Sequence, residues 1–453
     1  MDKNKRLTVW LPVIIAASIA LGIFIGNHYL SISQGKKRSY SSGNKINAIL
    51  DIIDEQYVDT VSMSKLVEST IPKIFSELDP HSVYIPAEDA SVVNEELEGS
   101  FSGIGVSFNM QTDTILVISV ISGGPAEKAG LLPFDRIISI NDSIFSGKKK
   151  NQGEIMKTLR GAKNSTVKLG VQRGNSPELL YFDVTRGDVP VNSVDVSYEA
   201  AKGIGYIKVS KFARNTYNEF ITAIAKLKQA GCTSFVIDLR GNTGGYMDAA
   251  INMINEFMPE GRLIVYTEGK SFPRSDVYAN GTGTCKDAPI VVLTDEISAS
   301  ASEIFSGAIQ DNDRGTIIGR RTYGKGLVQT QMSLSDGSEM RLTIARYYTP
   351  SGRCIQKKYE MGNTDAYDQD IYNRYMHGEF DSADSIKMDD SLKYQTVGGR
   401  TVYGGGGIMP DIFIPRDTSG VTSYYSNVVN SGVLYLYAVS YTHLRAHETL
   451  SDL

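Results

Sequence analysis

The sequence predicts an α/β protein with an inserted β-rich domain and a helical segment near its N-terminus. Three observations carry this. Strand and helix patterns alternate from residue 205 onward, with strand-like residues at 205–209, helical at 217–229 and strand-like again at 234–239, as in a layered α/β core. Ahead of that core, strand patterns crowd together at 115–120, 136–140 and 167–172. Further upstream, Ile46, Ile49, Leu50, Ile53 and Tyr57 recur at helical spacing.

In chain order, residues 1–8 form a short basic tail with Lys3, Lys5 and Arg6. Residues 9–26 form a nearly unbroken apolar run at the short end of what spans a bilayer. Basic residues before such a run keep the N-terminus in the cytoplasm and export the rest. The run lacks a good cleavage site, so an uncleaved anchor is expected over a removed signal, and either form exports the body. Residues 27–43 read as a polar tether and 44–91 as helical, with a second helix pattern at 63–78 ended by a turn at Leu78-Asp79-Pro80-His81-Ser82. His81 reads as a surface turn residue. Residues 92–174 form the β-rich domain and 190–420 the α/β core. Within the core, 358–395 is an acidic, tyrosine-bearing stretch that reads as a surface insertion or lid. Its aspartates are scattered rather than set in a loop pattern, so no metal site is expected.

The core is organised around residues 290–329. A β-branched run at 290–293 precedes a small-residue run at 298–302, and Ile304, Phe305, Ala308 and Ile309 then continue at helical spacing. A second strand begins at 316, and Gly324-Lys325-Gly326 leads into a third. Ser300 thus sits at a helix start and Lys325 at a strand start. A serine hydroxyl needs a base to become a nucleophile. A lysine whose pKa burial lowers can be that base. A helix start offers unpaired N–H groups to a developing oxyanion. Ser300-Ala301-Ser302-Glu303 is equally a capping box that needs no chemistry. In a strand, residues 325 and 329 project on one face.

These motifs together resemble the carboxy-terminal processing peptidases, or tail-specific proteases. The resemblance rests on Ser298 to Ile304, on Gly-Lys-Gly-x-Val-Gln at 324–329, on Asp238-Leu239-Arg240-Gly241-Asn242-Thr243-Gly244-Gly245, and on Pro125-Ala126-Glu127-Lys128-Ala129-Gly130-Leu131. It implies a crotonase-like protease core and identifies the β-rich domain as a PDZ domain. It implies that Ser300 is the nucleophile, Lys325 the general base and Gln329 the residue that orients the lysine. The N–H groups of Ala301 and of Gly244 or Gly245 would form the oxyanion hole. Thr243 stands where the family usually has proline. In the PDZ domain, Gly103, Ile104 and Gly105 would hold a peptide C-terminus, and Arg160 would couple that binding to catalysis. No cofactor is implied. The implied partners are proteins or peptides with free C-terminal tails, and the inner membrane through the N-terminal segment. The catalytic body is then expected in the periplasm, or secreted if that segment is cleaved. A homodimer is compatible with this reading.

Net charge is −5, so no basic footprint suggests nucleic acid. The chain has neither Gly-Lys-Ser/Thr after the 238–245 loop nor GxGxxG, which argues against nucleotide binding. Three cysteines (Cys232, Cys285 and Cys354) allow at most one internal pair. None of the five histidines stands in a Ser-His-Asp context. Two other functions remain open at this point: an inactive PDZ scaffold and a crotonase-type acyl-CoA enzyme. Residues 421–439 read as the start of a truncated C-terminal region. Residues 440–453 resemble translated adapter sequence, so His443 and His447 are expected to have no role.

Overall fold

A computed structural model describes residues 15–23 and 42–441, apart from 112–113, 145–151, 175, 177, 435–436 and 438–440. The basic tail at 1–8, most of the tether at 27–43, and His443 and His447 lie outside these residues, as does about half of the apolar run at 9–26. Among the described residues no helix is long and apolar enough to cross a membrane.

The chain divides into two units, Met1–Ile71 and Pro72–Leu453. In the first, the helix Ser42–Gln56 forms where the periodicity at 46–57 predicts it. Its Ile46, Ile49 and Ile52 are exposed. A second helix, Met63–Ser76, crosses into the next unit.

In the second unit, a six-stranded sheet carries the core. Its order is Val194–Ala201, Ile204–Val209, Ser234–Asp238, Ile290–Thr294, Thr316–Gly319 and Ile412–Phe413. The first pair is antiparallel and the remaining pairs are parallel. Parallel neighbours need long crossovers. Thr216–Gln229 bridges the second strand to the third, Met247–Asn255 lies between the third and fourth, and Ala301–Asp311 bridges the fourth to the fifth. Phe220, Phe235 and Phe305 pack edge-on around Phe257 in the interior. A second sheet joins Val83–Ile85, Glu339–Tyr348, Leu263–Glu268 and Ser275–Tyr278, with Leu327–Ser333 paired to Glu339–Tyr348 as a hairpin.

The β-rich domain has its own core, which includes Ile115, Val117, Ile137, Leu169 and Val184. Its sheet contains Val106–Gln111 and Leu180–Thr185 besides the three strands read from the sequence. These two are the outer strands, and most of the side chains in Leu180–Thr185 are exposed or half-buried, which blurs the apolar run that marks a strand. A two-stranded ribbon, Ser100–Gly103 against Gly187–Pro190, carries the chain in and out of this domain.

The acidic stretch is not simply a surface insertion. It contains the helix Thr364–Met376, which buries Tyr367 and Arg374 to 3% and 4% exposure. Only two side chains face inward and one is charged, so the sequence has no apolar period to read.

Candidate active site

The strand Ile290–Thr294 ends in a turn that delivers Ser300 to the start of the helix Ala301–Asp311. Asp295 N–H donates to Ser298 Oγ at 3.0 Å, and Ser298 Oγ donates to the Leu239 carbonyl at 2.8 Å. Ala299 N–H and Ser302 Oγ both donate to the Asn242 carbonyl, at 3.0 and 2.9 Å. The serine turn and the glycine loop at 241–245 are therefore one hydrogen-bonded body. Ser300 is held at φ 55° and ψ −112°, a conformation that costs a serine about 1–3 kcal/mol.

Asn242 is fully buried and organises the glycine loop. Its Nδ2 donates to the Val209 carbonyl at 3.0 Å, and its Oδ1 accepts the Gly244 N–H at 2.9 Å. The Gly244 amide is thus already used. The N–H groups of Gly245 and Ala301 have no hydrogen-bond acceptor among the described residues. Both glycines are required. A Cβ on Gly244 would lie 2.7 Å from the Ser300 Cβ, and one on Gly245 would overlap the Phe212 carbonyl.

Glu303 joins the serine side of the site to the lysine side. Its carboxylate is fully buried. One oxygen accepts the N–H groups of Ser300 and Lys325, both at 2.8 Å. The other accepts Thr322 Oγ at 2.6 Å and Gly324 N–H at 2.7 Å. The capping box read from the sequence exists, and its glutamate reaches 22 residues further along the chain. Burial pushes Glu303 up to about 7, against the pull of these four hydrogen bonds. Tyr347 adds a second bridge: its hydroxyl donates to the carbonyls of Ser300 at 3.2 Å and Lys325 at 2.5 Å. Burial raises this phenol well above its usual range, so it remains a donor.

Lys325 Nζ donates to Gln329 Oε1 at 3.1 Å. The Gln329 amide in turn donates to the His81 carbonyl. Burial, then the charge of Arg341, holds the Lys325 ammonium below its ordinary range, while Glu303 and Asp79 pull the other way. His81 is not a surface turn residue. Asp79 accepts the N–H groups of His81 and Ser82 and the hydroxyls of Ser82 and Thr343, docking the turn on the strand Glu339–Tyr348. Burial, then the charge of Lys325, pushes the His81 imidazole down to about 4. Its position is set by contacts distant in sequence, which a local turn pattern cannot reveal.

Ser300, Ala301, Gly244, Gly245, Lys325, Gln329 and Arg160 all line one cavity of ≈ 940 Å³. Arg160 reaches it with its guanidinium 4.5 Å from the Phe101 ring centre and 3.4 Å from Glu95. Gly103, Ile104 and Gly105 do not line it. They lie where the ribbon meets the β-rich domain, with the carbonyls of Ile104 and Gly105 bonded to the N–H groups of Ala126 and Ile121. Among the described residues, no group of three or more His, Cys, Asp or Glu side chains is gathered to hold a metal ion. Glu303's bond to Lys325, Tyr347, and the docking of the Asp79–Ser82 turn beside Gln329 are parts of the site that the sequence does not reveal. Glu303 and the turn leave local signs, the one three residues after Ser300 and the other in its Asp-Pro, but neither sign shows the distant partner.

Comparisons with known proteins give the family. A profile described as Peptidase family S41 matches residues 203–365, and one described as PDZ domain matches residues 102–195. The chain is 35% identical over 318 residues to the carboxy-terminal processing protease CtpB of Bacillus subtilis, covering 70% of this chain and 66% of that protein. It is 33% identical over 365 residues to a probable CtpA-like serine protease of Staphylococcus aureus, covering 79% and 72%. Among solved structures, the photosystem II D1 C-terminal processing protease matches 83% of this chain and 94% of its own, with 24% identity and a TM-score of 0.41. The chain belongs to peptidase family S41 and is a PDZ-containing serine protease of the carboxy-terminal processing type.

Proposed function

We propose that this protease cleaves with a Ser-Lys dyad and that its PDZ domain selects substrates by their C-termini. Ser300 Oγ attacks the scissile carbonyl while neutral Lys325 takes its proton and later gives it to the leaving amine. Water then hydrolyses the acyl-enzyme with Lys325 again as base. The free N–H groups of Ala301 and Gly245 receive the oxyanion, and Gln329 orients the lysine. The observation that carries this reading is Glu303, one carboxylate that fixes the backbone of both Ser300 and Lys325 at one cavity. The depressed Lys325 pKa supports it, because a protonated amine cannot accept. The core is of the crotonase-like kind on this reading.

The PDZ domain would capture a carboxylate at residues 103–105, with Arg160 passing occupancy to the cavity. A peptide with a free C-terminus should then be cleaved with a KM about 10-fold lower than its C-terminal amide. Steady-state kinetics on the pair checks this, and equal values would remove the tail-recognition part. Inner-membrane attachment through residues 9–26, a catalytic body in the periplasm and a homodimeric state complete the proposal. Fractionation of cells and a mass measured in solution test them.

Glu303 gives the site a pH signature. Protonation would place a hydrogen among four donors, so the site needs the ionised form. Activity should therefore fall as pH drops below about 7, and protonation of Lys325 acts in the same direction. Stability runs the other way. The folded pKa of Glu303 is raised, so its contribution is complete below 4.5 and is lost as pH rises through about 7. Glu303→Gln should cost about 1–3 kcal/mol by leaving donors unpaired. It should also lower kcat about 10- to 100-fold through misplacement of the reacting groups and flatten the pH dependence of stability. Thermal melts and rate profiles from pH 4 to 8 read both, and an unchanged profile would count against the role given to Glu303.

A further inference from the structure

The helix Thr364–Met376 lies in the stretch that the sequence presents as a surface insertion, and nothing assigned so far gives it a function. Its two buried side chains, Tyr367 and Arg374, are two turns apart and share a face. Both grip the loop that carries Lys325. Arg374 donates to the carbonyls of Thr322 at 3.0 Å and Arg321 at 2.8 Å, just ahead of the Gly-Lys-Gly loop. Thr322 is the residue whose hydroxyl bonds Glu303.

Tyr367 reaches the other end of the same loop by two arms. Its hydroxyl lies 2.9 Å from His81 Nε2, and the two rings meet edge-on at 5.2 Å. The backbone carbonyl of that same histidine accepts from the Gln329 amide. On the second arm the hydroxyl accepts from Gln356 Nε2 at 3.4 Å, while Gln356 Oε1 accepts the Gly326 N–H at 2.7 Å. The two arms thus end on the residue that follows Lys325 and on the residue that bonds its amine. The tyrosine is itself held firmly. Lys357 Nζ sits 3.9 Å from its ring centre and 4.1 Å from that of Tyr323, and 3.1 Å from Asp370.

The direction of the Gln329 amide decides whether Lys325 can work. With its NH2 spent on the His81 carbonyl, Gln329 presents oxygen to the lysine. A neutral amine then donates one N–H to that oxygen and keeps its lone pair for the serine proton. If the amide turned over, its NH2 would donate into that lone pair and compete with Ser300. Tyr367, His81, Gln356 and Arg374 do not line the cavity, so none of them is placed to touch substrate.

We propose that the helix Thr364–Met376 is a clamp on the general base, and that Tyr367 is a positioning residue that sets the Gln329 amide through His81 and the Lys325 loop through Gln356. This rests on the Ser-Lys reading. The test is Tyr367→Phe in the full chain, which removes the hydroxyl and keeps the ring. Its kcat on a tailed peptide should fall about 10-fold or more with KM within about twofold. Modification of Ser300 by a small fluorophosphonate, which needs the base but not the peptide site, should slow by a similar factor. The melting temperature should stay within a few degrees. In the double variant with His81→Ala the losses should be less than additive, because both changes act on one arm. Unchanged kcat and labelling in Tyr367→Phe would overturn the proposal, as would a change in KM alone or a loss that vanishes once the folded fraction is counted. Lys325→Ala run alongside separates the two claims. If that variant labels Ser300 at the unaltered rate, the Ser-Lys assignment fails and the clamp falls with it; slowed labelling in Lys325→Ala beside unaltered labelling in Tyr367→Phe overturns the clamp alone.

Discussion

Ser300→Ala should reduce cleavage of a tailed peptide by about 10,000-fold or more, since loss of a nucleophile leaves only binding and oxyanion contributions. Lys325→Met should do nearly the same while keeping the side-chain volume. The two variants differ in stability. Ser300→Ala should be close to neutral, because Glu303 keeps its bond to the backbone N–H of residue 300. Lys325→Met should be neutral or stabilising. The folded pKa of Lys325 is depressed, so burying the amine costs stability at any pH where it would otherwise be charged, and methionine removes that cost. A melt combined with a cleavage assay reads both. A fluorophosphonate should modify Ser300 and no other serine, as mapped by mass spectrometry. Residual activity within about tenfold in either variant would sink the dyad.

Arg353→Met should be the most damaging substitution to the fold, at about 3–5 kcal/mol. Arg353 and Asp311 both have no exposed side-chain surface and pair at 2.7 Å. The guanidinium also donates to Gln310 Oε1 at 2.8 Å and to the Tyr403 carbonyl at 2.7 Å. Asp311 is the last residue of the helix that begins after Ser300. Without the arginine, an ionised carboxylate is stranded beside the carbonyl end of that helix, where the dipole disfavours it. The hydroxyl and N–H of Ser351 would be its remaining donors among those observed. A fall in melting temperature of about 10 °C is expected, with part of it recovered in Arg353→Met/Asp311→Leu, which removes both charges. A melt within 2 °C of the parent protein would contradict this account.

The local frame of the site is legible because Ser300, Lys325, Gln329 and the paired glycines lie in strand–turn–helix or loop–strand units; the roles proposed for them come from the resemblance. What escaped is non-local. The partner of Gln329 is 248 residues away and that of the His81 ring is 286 residues away, and neither distance leaves a period in the sequence. Glu303 was read as a cap because it does cap; its second bond, to Lys325, is added without altering the first. The outer strands of the PDZ domain were missed because partial exposure dilutes their apolar pattern, and the insertion helix because it buries an arginine where a reader looks for leucine.

The paired ribbon between core and PDZ domain bears on how such a chain can be assembled. Ser100–Gly103 and Gly187–Pro190 run side by side, so the guest begins and ends about 5 Å apart, the spacing of neighbouring strands. Its host loses no path when the guest is excised, and any module whose own ends lie that close could be spliced between the same two strands. The PDZ domain is, in that sense, a detachable cassette, and the peptidase core is the chassis.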